Sequence, residues 1–262
     1  MRKLDVSACP GSGKTTLVVA KLAILARHWK SRTQGICVLS HTNAAREEIE
    51  HRLGGSEIGQ RLLRYPHYID TIHGFTGRFL ASPWLRSKGI PLTAIDDELT
   101  HAARRNALTP REYAGMKKAF ESAFIKVESL RLRTVDFDNP LTGSSLRFGA
   151  NTNTYKNACK AMAHAAKTGH FCFDEVFVLA DALLVDEPEV ASALRARFPC
   201  VLVDEMQDTR CDQANILSKV FPRQDPGVCV IRVGDPNQDI FEVKVELPEP
   251  FPDQSSTKEI AS

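Results

Sequence analysis

The stretch Ala8-Cys9-Pro10-Gly11-Ser12-Gly13-Lys14-Thr15-Thr16 decides the fold of this chain of 262 residues. It follows an apolar run, Leu4 to Ala8, and precedes a helical stretch, Lys14 to Lys30. A small residue, a short spacer, Gly-Lys and then Thr, placed between a strand and a helix, is the pattern of a phosphate-binding loop. Glycines let backbone N–H groups approach phosphates, and the helix N-terminus favours an anion. The stretch therefore predicts an α/β nucleotide-binding fold.

The same loop supplies the expected ligands of ATP and Mg²⁺. Lys14 can reach the β- and γ-phosphates, and the Thr15 hydroxyl can ligate Mg²⁺. The residues expected to contact the nucleotide are Ala8, Pro10, Gly11, Ser12, Gly13, Lys14, Thr15 and Thr16.

Further apolar, β-rich runs extend the pattern along the chain. They are Gly35 to Ser40, Tyr68 to His73, Cys200 to Glu205 and Val228 to Asp235. Several are unbroken rather than alternating, which is typical of strands buried on both faces of a parallel sheet. With helical stretches such as Asn43 to Leu53 between them, they predict a mostly parallel sheet in an α/β fold.

About 125 residues separate the third and fourth of the five strands, far more than one crossover helix needs. The apolar residues there recur at helical spacing through Tyr113, Met116, Phe120, Phe124, Val127 and Leu130. A loop, Asp136 to Asn153, and a second helix, Thr154 to Lys167, follow. We therefore expect a helical insertion subdomain over 81–170 and a nucleotide-binding lobe over 1–80 and 171–262.

Composition excludes several classes of protein. With 43% hydrophobic and 25% charged residues the chain is expected to be globular. No run approaches the roughly 20 apolar residues that cross a bilayer, and the start lacks a signal peptide, so we expect a cytoplasmic protein with no membrane contact. Its seven cysteines are never spaced as C-x-x-C and are interpreted as reduced core residues.

The charge of the chain is unevenly distributed. Residues 101–170 hold twelve Lys/Arg and five Asp/Glu, or +7, whereas the whole chain carries +2. This asymmetry is typical either of a surface that binds a polyanion or of a solvated helical face, and charge alone does not decide between them.

A pair of carboxylates ends the strand Cys200-Val201-Leu202-Val203-Asp204-Glu205. In a parallel sheet this end lies beside the phosphate loop. Asp204 is expected to hold Mg²⁺ and Glu205 to act as the general base for the attacking water.

Four further motifs support a resemblance to the UvrD/Rep-like superfamily 1 helicases. Val203-Asp204-Glu205-Met206-Gln207-Asp208-Thr209 resembles the family sequence V-D-E-F-Q-D-T. The other matches, in the family's order, are the segments Leu39 to Glu48, Asp70-Thr71-Ile72-His73-Gly74-Phe75 and Val233-Gly234-Asp235-Pro236-Asn237-Gln238-Asp239-Ile240-Phe241. The resemblance implies a RecA-like ATP-binding lobe of a DNA helicase, with a helical insertion where the basic stretch lies.

The resemblance also implies roles for individual residues. Gln238 would contact the γ-phosphate and serve catalysis with Glu205 and Lys14. Contacts to single-stranded or partly duplex DNA would come from Thr42, Asn43, Thr71, His73, Phe75 and Phe241. A phenylalanine on an apolar element is usually core, and His73 could equally be a buried structural histidine. The stacking roles of Phe75 and Phe241 therefore come from the resemblance and not from the pattern.

The family's later motifs, which belong to a second motor lobe, have no counterpart in this sequence. We therefore expect the N-terminal lobe of an ATP-dependent DNA helicase or translocase, with 3′-to-5′ polarity implied by resemblance alone. Repair, recombination or phage defence would be its setting, with the second lobe and a further protein as partners. Such a lobe alone is expected to hydrolyse ATP slowly, because an arginine finger from the second lobe is worth about 10³–10⁵ in rate. The alternative is a short ATP-switched DNA-binding or interaction module that never unwinds.

Overall fold

The computed structural model describes residues 4–7, 13–144 and 146–234. Its strands are β1 (Leu4–Ser7), β2 (Ile36–Ser40), β3 (Tyr68–Thr71), β4 (Ala94–Ile95), β5 (His170–Phe171), β6 (Cys200–Val203) and β7 (Cys229–Gly234). Its α-helices are α1 (Lys14–His28), α2 (Asn43–Gly54), α3 (Glu57–Leu62), α4 (Ile72–Thr76), α5 (Ser82–Ser87), α6 (Asp97–Asn106), α7 (Pro110–Ser122), α8 (Asn153–Lys167), α9 (Glu175–Asp186), α10 (Glu189–Arg197) and α11 (Cys211–Val220).

Within the described residues, five strands form one sheet in the order β1-β7-β6-β2-β3, and every pair is parallel. All residues of β2 and β6 are buried, as their unbroken apolar runs predict. The prediction of a mostly parallel α/β sheet is confirmed. Because all strands run the same way, the loops that follow them meet at one edge of the sheet.

One face of this sheet is covered by the helices that follow β1 and β2. Their buried side chains pack on the strand residues Ile36, Val38, Leu202 and Ile231. The helix residues in this core are Val18, Leu22 and Ala26 of α1, Ile49 and Leu53 of α2, and Leu62 of α3. Each fully buried Leu, Ile or Val contributes roughly 1.5–3 kcal/mol, so this face holds the nucleotide-binding helix α1 firmly on the sheet.

The chain divides into two compact units, one formed by residues 1–75 and 187–262 and the other by Thr76–Asp186. The second unit contains α5 to α9 and a short parallel pair, β4 with β5. It extends beyond the predicted range 81–170 at both ends. The added segments pack on each other, since α9 lies against the π-helical turn Gly77–Ala81.

A buried ion pair fastens the second unit internally. The guanidinium of Arg104 on α6 donates to the carboxylate of Glu175 on α9, and both side chains are almost fully buried. Glu175 also accepts from the backbone N–H groups of Leu132 at 2.7 Å and Cys172 at 2.9 Å. Arg104 donates a further bond of 2.7 Å to the Leu130 carbonyl. One charge pair thus connects two helices and two irregular segments.

Two predictions of element boundaries were wrong. The third strand ends at Thr71, not at His73, because the Thr71 hydroxyl accepts from the Gly74 N–H at 3.0 Å and starts α4. The helical face predicted to continue through Phe124 ends with α7 at Ser122. Phe124 instead adopts left-handed backbone geometry, with φ 57°, and the residue is 99% exposed.

Candidate nucleotide and nucleic-acid site

The predicted site residues follow the carboxyl ends of the strands in the first unit. Thr42 and Asn43 follow β2, His73 follows β3, and Asp204 and Glu205 follow β6. The register sets these strand ends side by side, with Leu39 opposite Val203 and Ser40 opposite Thr71. The parallel topology therefore gathers motifs that are far apart in sequence at one edge of the sheet.

At the start of α1, the structure joins the phosphate-loop lysine to a predicted catalytic carboxylate. The Lys14 ammonium nitrogen lies 3.3 Å from Oε2 of Glu205, and Lys14 is only 10% exposed. Gly13, with φ 83°, precedes the helix and provides no side-chain cap, so the first backbone N–H groups of α1 remain suited to an anion. Ala8, Pro10, Gly11 and Ser12 lie outside the described residues.

Asp204, at the end of β6, is buried, with 4% exposure. Burial, and then the neighbouring charge of Glu205, raise its pKa from 3.8 to about 6. A carboxylate that is desolvated beside a like charge is stabilised by a nearby cation. The donor set of Asp204 and the Thr15 hydroxyl therefore fits Mg²⁺, which prefers hard oxygen ligands.

The backbone of Glu205 is held in an uncommon conformation. Its φ of 50° lies in the left-handed region, which costs a residue with a β-carbon on the order of 1–2 kcal/mol. Its N–H donates to Oδ1 of Asp204 at 3.0 Å. This turn directs two consecutive carboxylates to the same edge of the sheet, where an extended chain would place them on opposite faces.

Gln207 is a site residue to which the sequence motifs alone assigned no role. Its amide Nε2 donates to Oε2 of Glu205 at 2.6 Å, on the same oxygen that faces Lys14. A β-carbon at Gly234, the last residue of β7, would lie 2.5 Å from the Gln207 amide oxygen. Gly234 is therefore needed for the approach of Gln207, which positions Glu205 between two donors. The only signal in the sequence was its place between Glu205 and Asp208 in the quoted motif.

The hydroxyl of Thr16, a residue predicted to contact the nucleotide, accepts a hydrogen bond of 2.9 Å from Nη1 of Arg52 on α2. Arg52 also pairs with Glu48 on the same helix. This contact links the first turn of α1 to α2 through exposed side chains. Thr15, one residue earlier, is half-buried.

The predicted DNA contacts differ in their accessibility. Thr42 and Asn43 are exposed at the start of α2, where the Thr42 hydroxyl accepts from the Ala45 N–H at 3.2 Å. Thr71 is 9% exposed and caps α4. His73 is half-buried, with Nδ1 3.5 Å from the Gln213 amide nitrogen. The start of α2 is thus the most open part of this set.

The prediction that Phe75 stacks on a DNA base was wrong. Phe75 is completely buried, and its ring centroid lies 5.6 Å from that of Phe221 and 6.4 Å from that of Phe198. Tyr68 completes this aromatic cluster at 6.2 Å. Phe75 therefore packs the first unit and leaves no face for a base. Gln238 and Phe241, the remaining predicted contacts, lie outside the described residues.

The fold and the Lys14, Asp204 and Glu205 cluster together define a nucleotide-binding α/β lobe of the RecA-like kind. The UvrD/REP helicase N-terminal domain model matches residues 2–247, and the chain belongs to this family.

Individual relatives agree with this assignment. DNA helicase II of Escherichia coli (strain K12) is 26% identical over 249 residues, which is 91% of this chain and 32% of that protein. ATP-dependent DNA helicase UvrD1 of Mycobacterium bovis is 25% identical over 250 residues, or 91% of this chain and 31% of that protein. RecBCD enzyme subunit RecB of Chlamydia muridarum is 39% identical over 72 residues, or 28% of this chain. The chain spans about a third or less of the length of these relatives.

No helix among the described residues is long and apolar enough to cross a membrane.

Proposed function

We propose that this chain is the ATP-binding first lobe of an ATP-dependent DNA helicase or translocase that moves 3′ to 5′ along single-stranded DNA. The observation that carries the proposal is the contact of Lys14 with Glu205 beside the buried Asp204. Relatives named as DNA helicases support the substrate class. Repair, recombination or phage defence is the proposed setting, with a second motor lobe and a further protein as partners.

In this proposal each described residue has a separate task. Lys14 and the first turn of α1 hold the phosphates of ATP, while Thr15 and Asp204 hold Mg²⁺. When bound, the metal would neutralise charge that develops on the transferred phosphoryl group. Glu205 accepts a proton from the attacking water, and the Gln207 amide keeps its carboxylate in place. Thr42 and Asn43 offer a hydroxyl and an amide to the backbone phosphates of the strand.

Calorimetric titration with Mg²⁺-ATP tests the nucleotide site. Lys14→Ala should abolish binding, because it removes the main positive charge on the phosphates. Glu205→Gln should retain ATP affinity and lose hydrolysis, since it keeps the shape but not the base. Lys219→Ala, at an exposed position on α11, is the matched control and should behave as the unmodified chain. Equal ATP binding by Lys14→Ala and the unmodified chain would refute the site.

A strand-displacement and ATPase assay tests the role as half of a motor. The chain as it stands should not unwind a duplex, and its slow ATPase should rise when a second family lobe is joined to it, because the lobes close on ATP together. Robust unwinding by residues 1–262 alone would contradict this division of labour.

A further inference from the structure

A second basic site lies at the opposite edge of the sheet from the nucleotide loop. A cavity of about 250 Å³ opens where the chain enters β2 and β3, at the amino ends of these strands. Its lining comes from the segment between α1 and β2 and from the segment between α3 and β3. Since β2 is five residues long, roughly 16 Å of strand separates this cavity from the loops at the carboxyl edge.

Local hydrogen bonds connect the walls of this cavity, here called the arginine pocket. The residues that line it are Trp29, Ser31, Arg32, Arg61, Arg64, Tyr65, Pro66 and His67. The Trp29 indole donates to the Gln34 carbonyl at 2.7 Å, and Nδ1 of His67 accepts from the Ile36 N–H at 3.1 Å. A β-carbon at Gly35 would collide with the Pro66 carbonyl oxygen, so the two segments are in close contact.

Two successive backbone hydrogen bonds fix the turn that carries Arg61 and Arg64, between α3 and β3. The Arg64 N–H donates to the Arg61 carbonyl at 3.3 Å, and the His67 N–H donates to the Arg64 carbonyl at 3.0 Å. Arg61 also lies close enough to His67 to affect it: burial, and then the charge of Arg61, lower the pKa of His67 below 6.5. The pocket therefore keeps its positive charge on arginines, which stay protonated at any physiological pH.

These arginines differ from others of the same unit in their lack of acidic partners. The arginines of this unit that pair with carboxylates include Arg46, Arg52, Arg195, Arg210, Arg223 and Arg232. In the described part of the chain, no Asp or Glu pairs with Arg32, Arg61 or Arg64, and no acidic residue lines the pocket. Three exposed guanidinium groups around one concavity leave a charge that an anion can neutralise.

The chemistry of the pocket favours a phosphate over a carboxylate. One bidentate arginine uses both oxygens of a carboxylate, whereas a phosphate group has more oxygens and can accept several guanidinium groups. Tyr65 adds a stacking surface, since the residue is 65% exposed. The guanidinium of Arg197 lies 5.2 Å from the centroid of its ring. Arginine beside an open aromatic ring is a combination that binds nucleic-acid strands.

We propose that the arginine pocket binds a backbone phosphate of a polynucleotide strand, with a neighbouring base stacked on Tyr65. The cavity volume of about 250 Å³ lies just below the roughly 300–1,000 Å³ of ordinary ligand sites and is sufficient for a phosphate group of a bound strand. The site would hold DNA on the side of the lobe away from the motifs that read it. This inference does not depend on ATP binding at Lys14.

Fluorescence anisotropy with a labelled single-stranded 20-mer tests the proposal on the full chain. Arg61→Ala with Arg64→Ala should weaken binding about ten-fold or more at low salt. It should also reduce the slope of log K against log salt by about 0.7, because the neutralisation of one phosphate is lost. Tyr65→Ala should weaken binding about five-fold or more, and Tyr65→Phe should restore it, because the ring alone provides stacking.

The matched control is Arg27→Ala with Lys219→Ala, which removes the same charge from exposed positions of the unit that do not line the pocket. It should change the affinity less than two-fold. An equal loss in the control, or an unchanged salt slope in the pocket variant, would overturn the proposal. The substituted arginines and the lysine are all at exposed positions, and a thermal melt checks that each variant folds.

Competitors distinguish the sources of anionic charge. A second oligonucleotide should displace the labelled strand from the unmodified chain, whereas polyglutamate or inorganic phosphate at matched ionic strength should displace it weakly. Equally strong displacement by polyglutamate would indicate an acidic protein partner, and binding of inorganic phosphate with no effect of the pocket variants on DNA would indicate a small-anion site. Either result overturns the assignment to a polynucleotide. ATP titration in parallel tests the proposed function separately.

Discussion

The two compact units each contain a buried acidic centre, and the two centres are built on opposite principles. In the second unit, Glu175 accepts hydrogen bonds from Arg104 and two backbone N–H groups, so its charge is fully matched. In the first unit, Asp204 is nearly as buried, yet it accepts one backbone bond and lies beside the like charge of Glu205. A buried carboxylate whose charge is neutralised by hydrogen bonds and an ion pair stabilises the fold. A buried carboxylate without such partners, like Asp204, is typical of a site that binds a cation.

The largest expected effect is on stability, when the buried ion pair between Arg104 and Glu175 in the second unit is broken. Glu175→Ala should lower the free energy of unfolding of the second unit by about 3–5 kcal/mol, because it leaves the Arg104 guanidinium buried without its carboxylate. Urea unfolding followed by Trp84 fluorescence measures this, in a Trp29→Phe background that leaves Trp84 as the one tryptophan.

The control for this prediction replaces both charges. Arg104→Met with Glu175→Leu should recover much of the lost stability, since well-packed apolar residues often replace a buried ion pair without loss. A loss below about 1 kcal/mol for Glu175→Ala would mean that the pair does not fasten the unit.

The unmatched centre should respond in the opposite direction. Asp204→Asn should raise the stability of the chain without ligand by up to about 3 kcal/mol above pH 6. The unfolded carboxyl loses its proton near pH 3.8 and the folded one near pH 6, so ionisation of Asp204 progressively destabilises the fold between these values. Urea unfolding at pH 5 and pH 8 checks this: the gain should be about 1 kcal/mol larger at pH 8. Mg²⁺-dependent ATP binding should weaken in the same variant, and equal stability at both pH values would contradict the raised pKa.

The smallest expected effect comes from backbone geometry, which both units share. Glu205 and Phe124 have φ values of 50° and 57°, in the region where glycine is unstrained. Relative to alanine at the same position, glycine should stabilise each unit by about 1 kcal/mol. Substitution of Glu205, but not of Phe124, should abolish ATP hydrolysis. Comparing the two positions therefore distinguishes backbone strain at a catalytic residue from backbone strain at a residue with no catalytic role. Thermal melts and an ATPase assay on the four variants measure both effects.

The sequence was sufficient to predict the parallel sheet and the end of the sheet at which the predicted catalytic residues lie. Buried parallel strands have continuous apolar runs, so Ile36–Ser40 and Cys200–Val203 were recognisable without the structure. Because the strands are parallel, Lys14 and Glu205 were expected at the same end of the sheet, and their side chains lie 3.3 Å apart there.

Features that depend on tertiary packing were not predictable in this way. Phe75 has the same local sequence whether it faces DNA or the ring of Phe221, and only the placement of β3 and α11 decides. Phe124 continues the helical spacing of α7, yet the chain turns at this point. The arginine pocket joins two segments that are some 30 residues apart, and charge patterning within either one does not reveal it.

The strand order β1-β7-β6-β2-β3 also bears on the sequence of events during synthesis of the chain. β1 pairs with β7, and in the sheet β6 and β7 lie between β1 and β2. Of the first three strands, only β2 and β3 can therefore pair with each other before residues 200–234 have been synthesised. The unit Thr76–Asp186 is one continuous stretch of the chain, so it can fold while the earlier strands β1, β2 and β3 still lack their partners β6 and β7. While the insertion is being synthesised, the nascent chain therefore exposes strands whose edges are unpaired. Unpaired strand edges favour aggregation during this period.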